Sequence, residues 1–292
     1  MKNLVIFLLL YFTVISVAAQ QKDNFRVITY NILNGYDFGK DTIRRQQVQA
    51  WIKSQQPDVV ALQELCAYTS EKLQEDAKSW GHSFSKLLKT TGYSVGITSR
   101  FPIETKDKLI KGMHHGALHC TTNGIDFFVV HLWPENHKYR EEIAIITPTL
   151  KKARETNPYY VVLGDFNAHS PMDADLYNPN GYLFTRNKNY RKNEVNLIDY
   201  EAISTFLAFP LVDVCQLFTR SMAERGTFPG RILGPINHET DEQLISRLER
   251  IDYILVSPEM AKKCMGARVC NGKANWYLSD HYPVEAEFNF NK

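Results

Sequence analysis

The sequence has little of several things that would settle its class at once. Glycine is modest, 15 in 292 residues, with no repeat at every third position, so a collagen-like fibre is excluded. No apolar heptads run through it, which excludes a long coiled coil. Charge of one sign is not in excess: 34 Lys+Arg stand against 32 Asp+Glu, for a net of +2. There is therefore no global pull toward a polyanion, although charge can still be arranged locally. Cysteine is scarce, five residues with no C-x-x-C pair, so neither a zinc ribbon nor a thioredoxin-type centre is indicated. After the first twenty residues no apolar run approaches the length of a membrane span. Repeats, low-complexity tracts and linkers are also missing.

What is present is a good supply of core-forming side chains. Hydrophobic residues make up 44% and aromatics 12%, which excludes a disordered chain and suffices for a sizeable core. One domain is expected over residues 20–292.

Residues 1–19 read differently. Lys2 precedes an apolar run over residues 4–15, and Ser16, Val17, Ala18 and Ala19 follow. That order is expected of a signal peptide cut after Ala18 or Ala19. No cysteine lies near the cut, which argues against a lipoprotein. The mature protein is then expected to be secreted or periplasmic, and to be a monomer. Export permits disulfides. Of Cys66, Cys120, Cys215, Cys264 and Cys270, the pair Cys264 and Cys270 is the expected bridge, being closest in sequence.

Strand-like and helix-like periods alternate along the rest. Strands are expected at residues 25–30, 59–63, 82–87, 95–99, 103–110, 117–122, 125–131, 159–163, 250–256 and 283–290. Helices are expected at 41–54, 70–80, 141–155 and 197–206. Strands both adjacent to each other and separated by helices predict a layered α+β domain.

Six short polar signatures punctuate this pattern, each read as lying at or just beyond the carboxyl end of an apolar strand. They are Tyr30-Asn31-Ile32-Leu33-Asn34-Gly35, Leu62-Gln63-Glu64, Val130-His131-Leu132, Gly164-Asp165-Phe166-Asn167, Arg250-Ile251-Asp252-Tyr253 and Ser279-Asp280-His281-Tyr282-Pro283-Val284. Singly, each has a plain structural explanation: a turn residue, a solvated strand end, a surface ion pair. Together they make a chemical set. Glu64 and Asp280 offer hard carboxylate oxygens and Asn31 a neutral one, a donor set suited to Mg²⁺ or Mn²⁺ rather than zinc. Asp252 can orient His281 and favour its cation. Asp165 can orient a water, Asn167 can donate to an anionic oxygen, and His131 adds a second imidazole. A metal, a water-orienting carboxylate and imidazoles suit in-line attack on a phosphoester.

The order and spacing of these signatures resemble the endonuclease/exonuclease/phosphatase superfamily, the group of DNase I, AP endonucleases and bacterial sphingomyelinases. The resemblance covers the chain from Phe25 to Phe290. It implies a four-layer α/β/β/α sandwich with the active site at one rim of two packed sheets. It implies metal-site roles for Asn31, Glu64 and Asp280, with Glu64 the direct ligand. Asp165 and Asn167 resemble the pair that positions water and holds the scissile phosphate. His281, backed by Asp252, resembles the general base or transition-state stabiliser; whether it or Asp165 takes the proton stays open. His131 resembles the histidine of the DNase I and sphingomyelinase branch, read there as a general acid. Arg100, in a Ser-Arg-x-Pro turn, and Arg140, at the start of the helix after His131, are expected substrate contacts. His114, His115, His119 and His169 are further candidates, His169 being favoured by its place beside the Asp165–Asn167 loop. AP endonucleases carry an acidic residue two positions after the first Asn; here that position is Leu33. This moves the chain toward the secreted phosphodiesterase branches. A phosphodiesterase is the expected activity, with a non-specific secreted nuclease or a non-catalytic phosphate-binding module as alternatives. Tyr182, Phe184, Arg186, Lys188, Tyr190, Arg191 and Lys192 interleave aromatics and bases in a way that can contact nucleic acid, although net charge does not point there.

Overall fold

A computed structural model of the chain describes residues 24–133, 135, 138–175 and 198–291. The expected signal peptide and the aromatic–basic stretch at 182–192 lie outside the described residues. Two six-stranded sheets form the centre. The first runs β11-β12-β1-β2-β4-β3 and the second β5-β6-β7-β8-β10-β9. In chain order the strands are β1 (Phe25–Asn31), β2 (Val59–Gln63), β3 (Phe84–Leu87), β4 (Gly96–Ser99), β5 (Ile103–Leu109) and β6 (Ala117–Thr122). They continue as β7 (Ile125–His131), β8 (Tyr160–Asp165), β9 (Val212–Asp213), β10 (Asp252–Val256), β11 (Cys264–Val269) and β12 (Val284–Phe288). The main helices are α1 (Thr42–Gln55), α2 (Ser70–Ser79), α3 (Lys138–Thr156) and α4 (Glu201–Ala208).

The central strands are apolar on both faces, and the two-residue period sends alternate side chains to different cores. On β1 and β2, Val27, Val59 and Ala61 face the opposite sheet, while Ile28, Tyr30, Val60 and Leu62 face α1 and α2. On β7 and β8, Phe127, Val129, Val161 and Leu163 face inward, while Phe128, Val130, Tyr160 and Val162 meet α3 and α4. The result is the expected α/β/β/α sandwich, with its largest core between the sheets. Among the described residues no helix is long and apolar enough to cross a membrane.

Three expectations about this frame are corrected. The expected Cys264–Cys270 bridge is absent, and all five cysteines are free. Cys264 opens β11 and Cys270 follows its last residue. A strand rises ~3.3 Å per residue, so the two are held ~20 Å apart, far beyond disulfide reach. β11 itself, CMGARV, was not expected; it is an edge strand, half exposed, with too weak an alternation to announce itself. The helix expected at 141–155 starts earlier and continues through Pro148. Pro148 is exposed, so the carbonyl that its missing N–H leaves unbonded can meet water.

Candidate active site

Strand direction decides which residues meet. β1 and β2 run parallel with Asn31 beside Gln63, and β7 and β8 run parallel with His131 beside Asp165. Their carboxyl ends therefore share one rim. β10 runs antiparallel to β8, with Asp252 opposite Asp165, and β12 runs antiparallel to β1. Asp252 and the 279–281 segment reach the same rim from the amino ends of their strands. The expectation that all six signatures follow carboxyl ends is corrected in these two cases, for that reason.

Backbone shape then aims the side chains. Gly164 has φ 141°, and a Cβ there would lie 2.0 Å from the Val130 carbonyl oxygen. Only glycine lets β7 and β8 close up immediately before Asp165. Glu64 leaves β2 in the left-handed region at φ 59°. Residues 33–38 form a left-handed turn, every φ between 51° and 61°. Such backbone costs non-glycine residues ~1 kcal/mol or more each and persists only where its surroundings hold it. Arg44 of α1 does the holding. Its buried guanidinium donates to the carbonyls of Ile32 (2.8 Å), Leu33 (3.0 Å) and Leu278 (3.2 Å), and its Nε pairs with Asp41. One side chain thus joins the Asn31 loop to the segment that precedes Asp280. Ser279 adds a second tie, its hydroxyl donating to the Asn31 carbonyl at 2.7 Å.

At the rim, Glu64 accepts from the Asn34 N–H (2.6 Å) and from Asn31 Nδ2 (3.2 Å). Asp165 accepts from Asn31 Nδ2 (3.1 Å), from the Asn167 N–H (2.8 Å) and from Asn167 Nδ2 (3.3 Å). Asn31 Oδ1 takes the Leu33 N–H at 3.1 Å. That bond fixes the amide, so Asn31 presents its nitrogen to both carboxylates. In this geometry Asn31 donates to Glu64 and Asp165 while its oxygen accepts one N–H and keeps a second lone pair. Asn167 Nδ2 also donates to the Leu132 carbonyl, at 3.0 Å.

His281 bonds Asp252 through Nδ1 at 2.8 Å and faces Asp165 with Nε2 at 3.8 Å. Burial opposes its cation, but Asp252, Asp165 and Asp280 outweigh burial and raise its pKa well above the usual value. The ligand atoms of Asp165, Asp252 and His281 lie within 4.8 Å of one another. At the centre of this group the His281 ring bonds one carboxylate, Asp252, and faces the other, Asp165. A second pair of carboxylates lies beside it, and the His281 charge only partly offsets what opposes their ionisation. Burial, and then the charge of Asp280, raise the Glu64 pKa; burial, with Asp252 adding to it, raises that of Asp280. Two half-buried carboxylates that resist ionising are what a divalent cation would relieve, and their hard oxygens fit one.

His131 is held neutral. Burial first, then His115 and His281, push its pKa well below the usual value. Its Nε2 lies 3.4 Å from Asp165, and its Nδ1 is buried with no hydrogen-bond partner among the described residues.

Two expected substrate contacts are not brought in. Arg100 follows β4, whose Ser99 pairs with Val59 at the start of β2. It therefore lies at the opposite rim, donating to the Pro57 carbonyl and pairing with Asp58. Arg140 is turned to Glu201 (2.5 Å) and Asp199 (3.5 Å), tying α3 to the start of α4. His119 sits between Asp107 and Asp126, toward the far end of β7, and His169 bonds Glu249 at 2.8 Å. Of the extra histidines only the 114–115 pair lies beside the site, His115 packing on His131 with ring centres 3.8 Å apart at a 32° tilt. Sequence reasoning missed Thr227. Its hydroxyl accepts from the N–H groups of Ile251 (3.0 Å) and Asp252 (3.2 Å), and its carbonyl takes the Tyr282 N–H at 2.7 Å. It locks Asp252 to the His281 segment, and nothing in the sequence marks it.

A layered sandwich with acidic and imidazole groups gathered at one rim defines a class of phosphoester-processing proteins. The chain belongs to the Endonuclease/Exonuclease/phosphatase family, which it matches over residues 28–281. No curated protein sequence matches it. Among solved structures it is similar to a 3′ phosphatase, NExo, from Neisseria bound to product DNA hairpin (TM-score 0.69, 22% identity, 91% of this chain and 100% of that one). It is also similar to an AP endonuclease from Archaeoglobus fulgidus (TM-score 0.66, 20% identity, 91% and 99%) and to humanized D. rerio TDP2 (0.57, 18%, 92% and 100%). At these identities the likeness shows the fold.

Proposed function

We propose that this protein is a secreted or periplasmic, Mg²⁺- or Mn²⁺-dependent phosphoester hydrolase, acting on phosphodiesters by in-line attack of water. The observation that carries the reading is the pairing of two charge states at one rim. The Asp280 charge adds to burial in opposing ionisation of Glu64, and beside this pair His281 bonds Asp252 at 2.8 Å and faces Asp165 at 3.8 Å. Glu64 and Asp280 would hold the cation, which supplies Lewis-acid polarisation of a phosphoryl oxygen. Asn31 orients Glu64. Asp165, fixed by Asn31 and Asn167, orients the attacking water and accepts its proton. His281 has carboxylates at both ring nitrogens and so acts as a donor, stabilising charge on the phosphoryl oxygens. Asn167 helps to hold the scissile phosphate. His131 is a neutral donor at the edge of the set.

The test is hydrolysis of bis(4-nitrophenyl) phosphate by protein lacking residues 1–19, with Mg²⁺, Mn²⁺ or EDTA. Turnover with either metal and none in EDTA is expected; metal-independent turnover, or none at all, overturns the reading. Export is checked separately, by sequencing the amino terminus of protein recovered from the periplasm or medium. A start just after Ala18 or Ala19 is expected, and an intact Met1 would refute it.

A further inference from the structure

We infer that a wall of aromatic rings beside His131 is a subsite for a flat ring carried by the substrate, as a nucleobase is; the inference rests on the phosphoesterase reading above. Tyr93 comes from the loop between β3 and β4, His114 and His115 from the loop between β5 and β6, and Trp133 from just after β7. The rings touch in sequence. His131 packs on His115 with ring centres 3.8 Å apart at a 32° tilt, Tyr93 packs on His115 at 5.5 Å, and His115 meets Trp133 edge-on at 5.2 Å. His114 lies flat on Trp133, ring centres 3.8 Å apart at 19°. The wall begins inside the catalytic cluster at His131 and ends at solvent: Tyr93 is 36% exposed, His114 is exposed and Trp133 half-buried.

The wall is built. The Glu142 carboxylate is 1% exposed and accepts two backbone N–H groups, from His114 at 2.7 Å and Trp133 at 2.8 Å. A buried acid from α3 thereby sets the spacing of the two loops, which the His115 Nδ1–His131 carbonyl contact at 3.2 Å also joins. Lys89 donates to the His114 carbonyl at 3.0 Å and puts a cation at the foot of the wall. Rings held this rigidly lose little freedom when another ring stacks on them, and stacking tolerates any base because every base has a π-face. A lipid chain or a sugar phosphate would gain much less from such a surface.

The experiment compares competitive inhibitors that differ only by the ring. Hydrolysis of bis(4-nitrophenyl) phosphate is inhibited by adenosine 5′-monophosphate and by ribose 5-phosphate, and the ratio of the two inhibition constants is the readout. In the parent protein the nucleotide is expected to bind about tenfold more tightly. In Trp133→Ala with His114→Ala the ratio falls to about one, while Trp133→Phe keeps most of it. Because the ratio divides out the phosphate site, a general loss of activity does not imitate this result. Equal constants in the parent, or an unchanged ratio in the double variant, overturn the subsite. If no ester is hydrolysed, the phosphoesterase reading has failed. The subsite is then tested alone, by titration calorimetry of the same two ligands against parent and double variant.

Discussion

His82 lies buried between the Thr98 hydroxyl (2.8 Å) and the Pro57 carbonyl (2.9 Å). The carbonyl can only accept, so Nε2 donates and the neutral ring is satisfied on both sides. Burial, the larger effect, takes its pKa down to about 4. Unfolded histidine protonates near 6.5. Between those values the unfolded chain binds a proton that the folded one refuses, so stability falls as pH falls through that window. The difference is on the order of 3 kcal/mol. In His82→Gln, urea unfolding measured from pH 6.5 to 4 should lose less stability by about that amount; an identical pH profile in the variant would refute the assignment. At the site the same burial gives opposite results in two histidines, because three carboxylates surround His281 and other imidazoles surround His131. Glu64→Gln, Asp165→Asn and His281→Ala are each expected to lower turnover by at least ~100-fold. Their urea midpoints should stay at or above the parent's for Glu64→Gln, which removes a strained charge. Retained activity in any one removes the role assigned to it.

At the scale of elements, the strained turn over residues 33–38 depends on a helix that contributes no reacting group. Arg44 supplies donors to three carbonyls, and its ring partner Tyr36 lies 5.2 Å from the guanidinium carbon. Arg44→Met keeps much of the apolar stem but strands those carbonyls. Each unsatisfied buried acceptor costs ~1–3 kcal/mol, reduced where water can enter. A loss of about 2–4 kcal/mol in urea unfolding is expected, together with weaker metal binding, since the turn positions the Asn34 N–H on Glu64. A variant as stable as the parent would show that the turn holds itself. The elements also explain where the sequence was legible. β1, β2, β7 and β8 are continuous apolar runs because both faces are covered, and they were read to within a residue or two. β11 was not, because an exposed edge strand needs no such pattern. Arg100 was misplaced because a Ser-Arg-x-Pro turn is visible in sequence, but not which end of the sheet it occupies.

Over the whole molecule, the site joins the two sheets across their shared core, and charge at that junction couples to folding. Glu64 and Asp280 carry raised pKa values, chiefly from burial. A carboxylate that holds its proton better when folded loses stability on ionising, as pH rises from its unfolded value near 4 through its folded one. A divalent cation needs the ionised forms and cancels that cost. Mg²⁺ or Mn²⁺ should therefore raise the melting temperature more at pH 8 than at pH 5. The gain should vanish in Glu64→Gln with Asp280→Asn. Equal gains at both pH values, or a gain kept in the double variant, would place the metal elsewhere.

The sequence alone determined the layered architecture, because strand periods, helix periods and covered faces are local patterns that burial writes into residue order. It also determined the chemical inventory of the rim, since Glu64, Asp165, Asn167, Asp252, Asp280 and His281 are recognisable by type and context. Only the tertiary structure decided what those residues do to one another. Strand direction chose the shared rim and sent Arg100 to the far one. Asn31 became a donor because Leu33 N–H holds its oxygen, and His114 and His115 were separated from His119 and His169 by loop position. Those outcomes depend on distances and dielectric between segments far apart in the chain, which residue order does not carry.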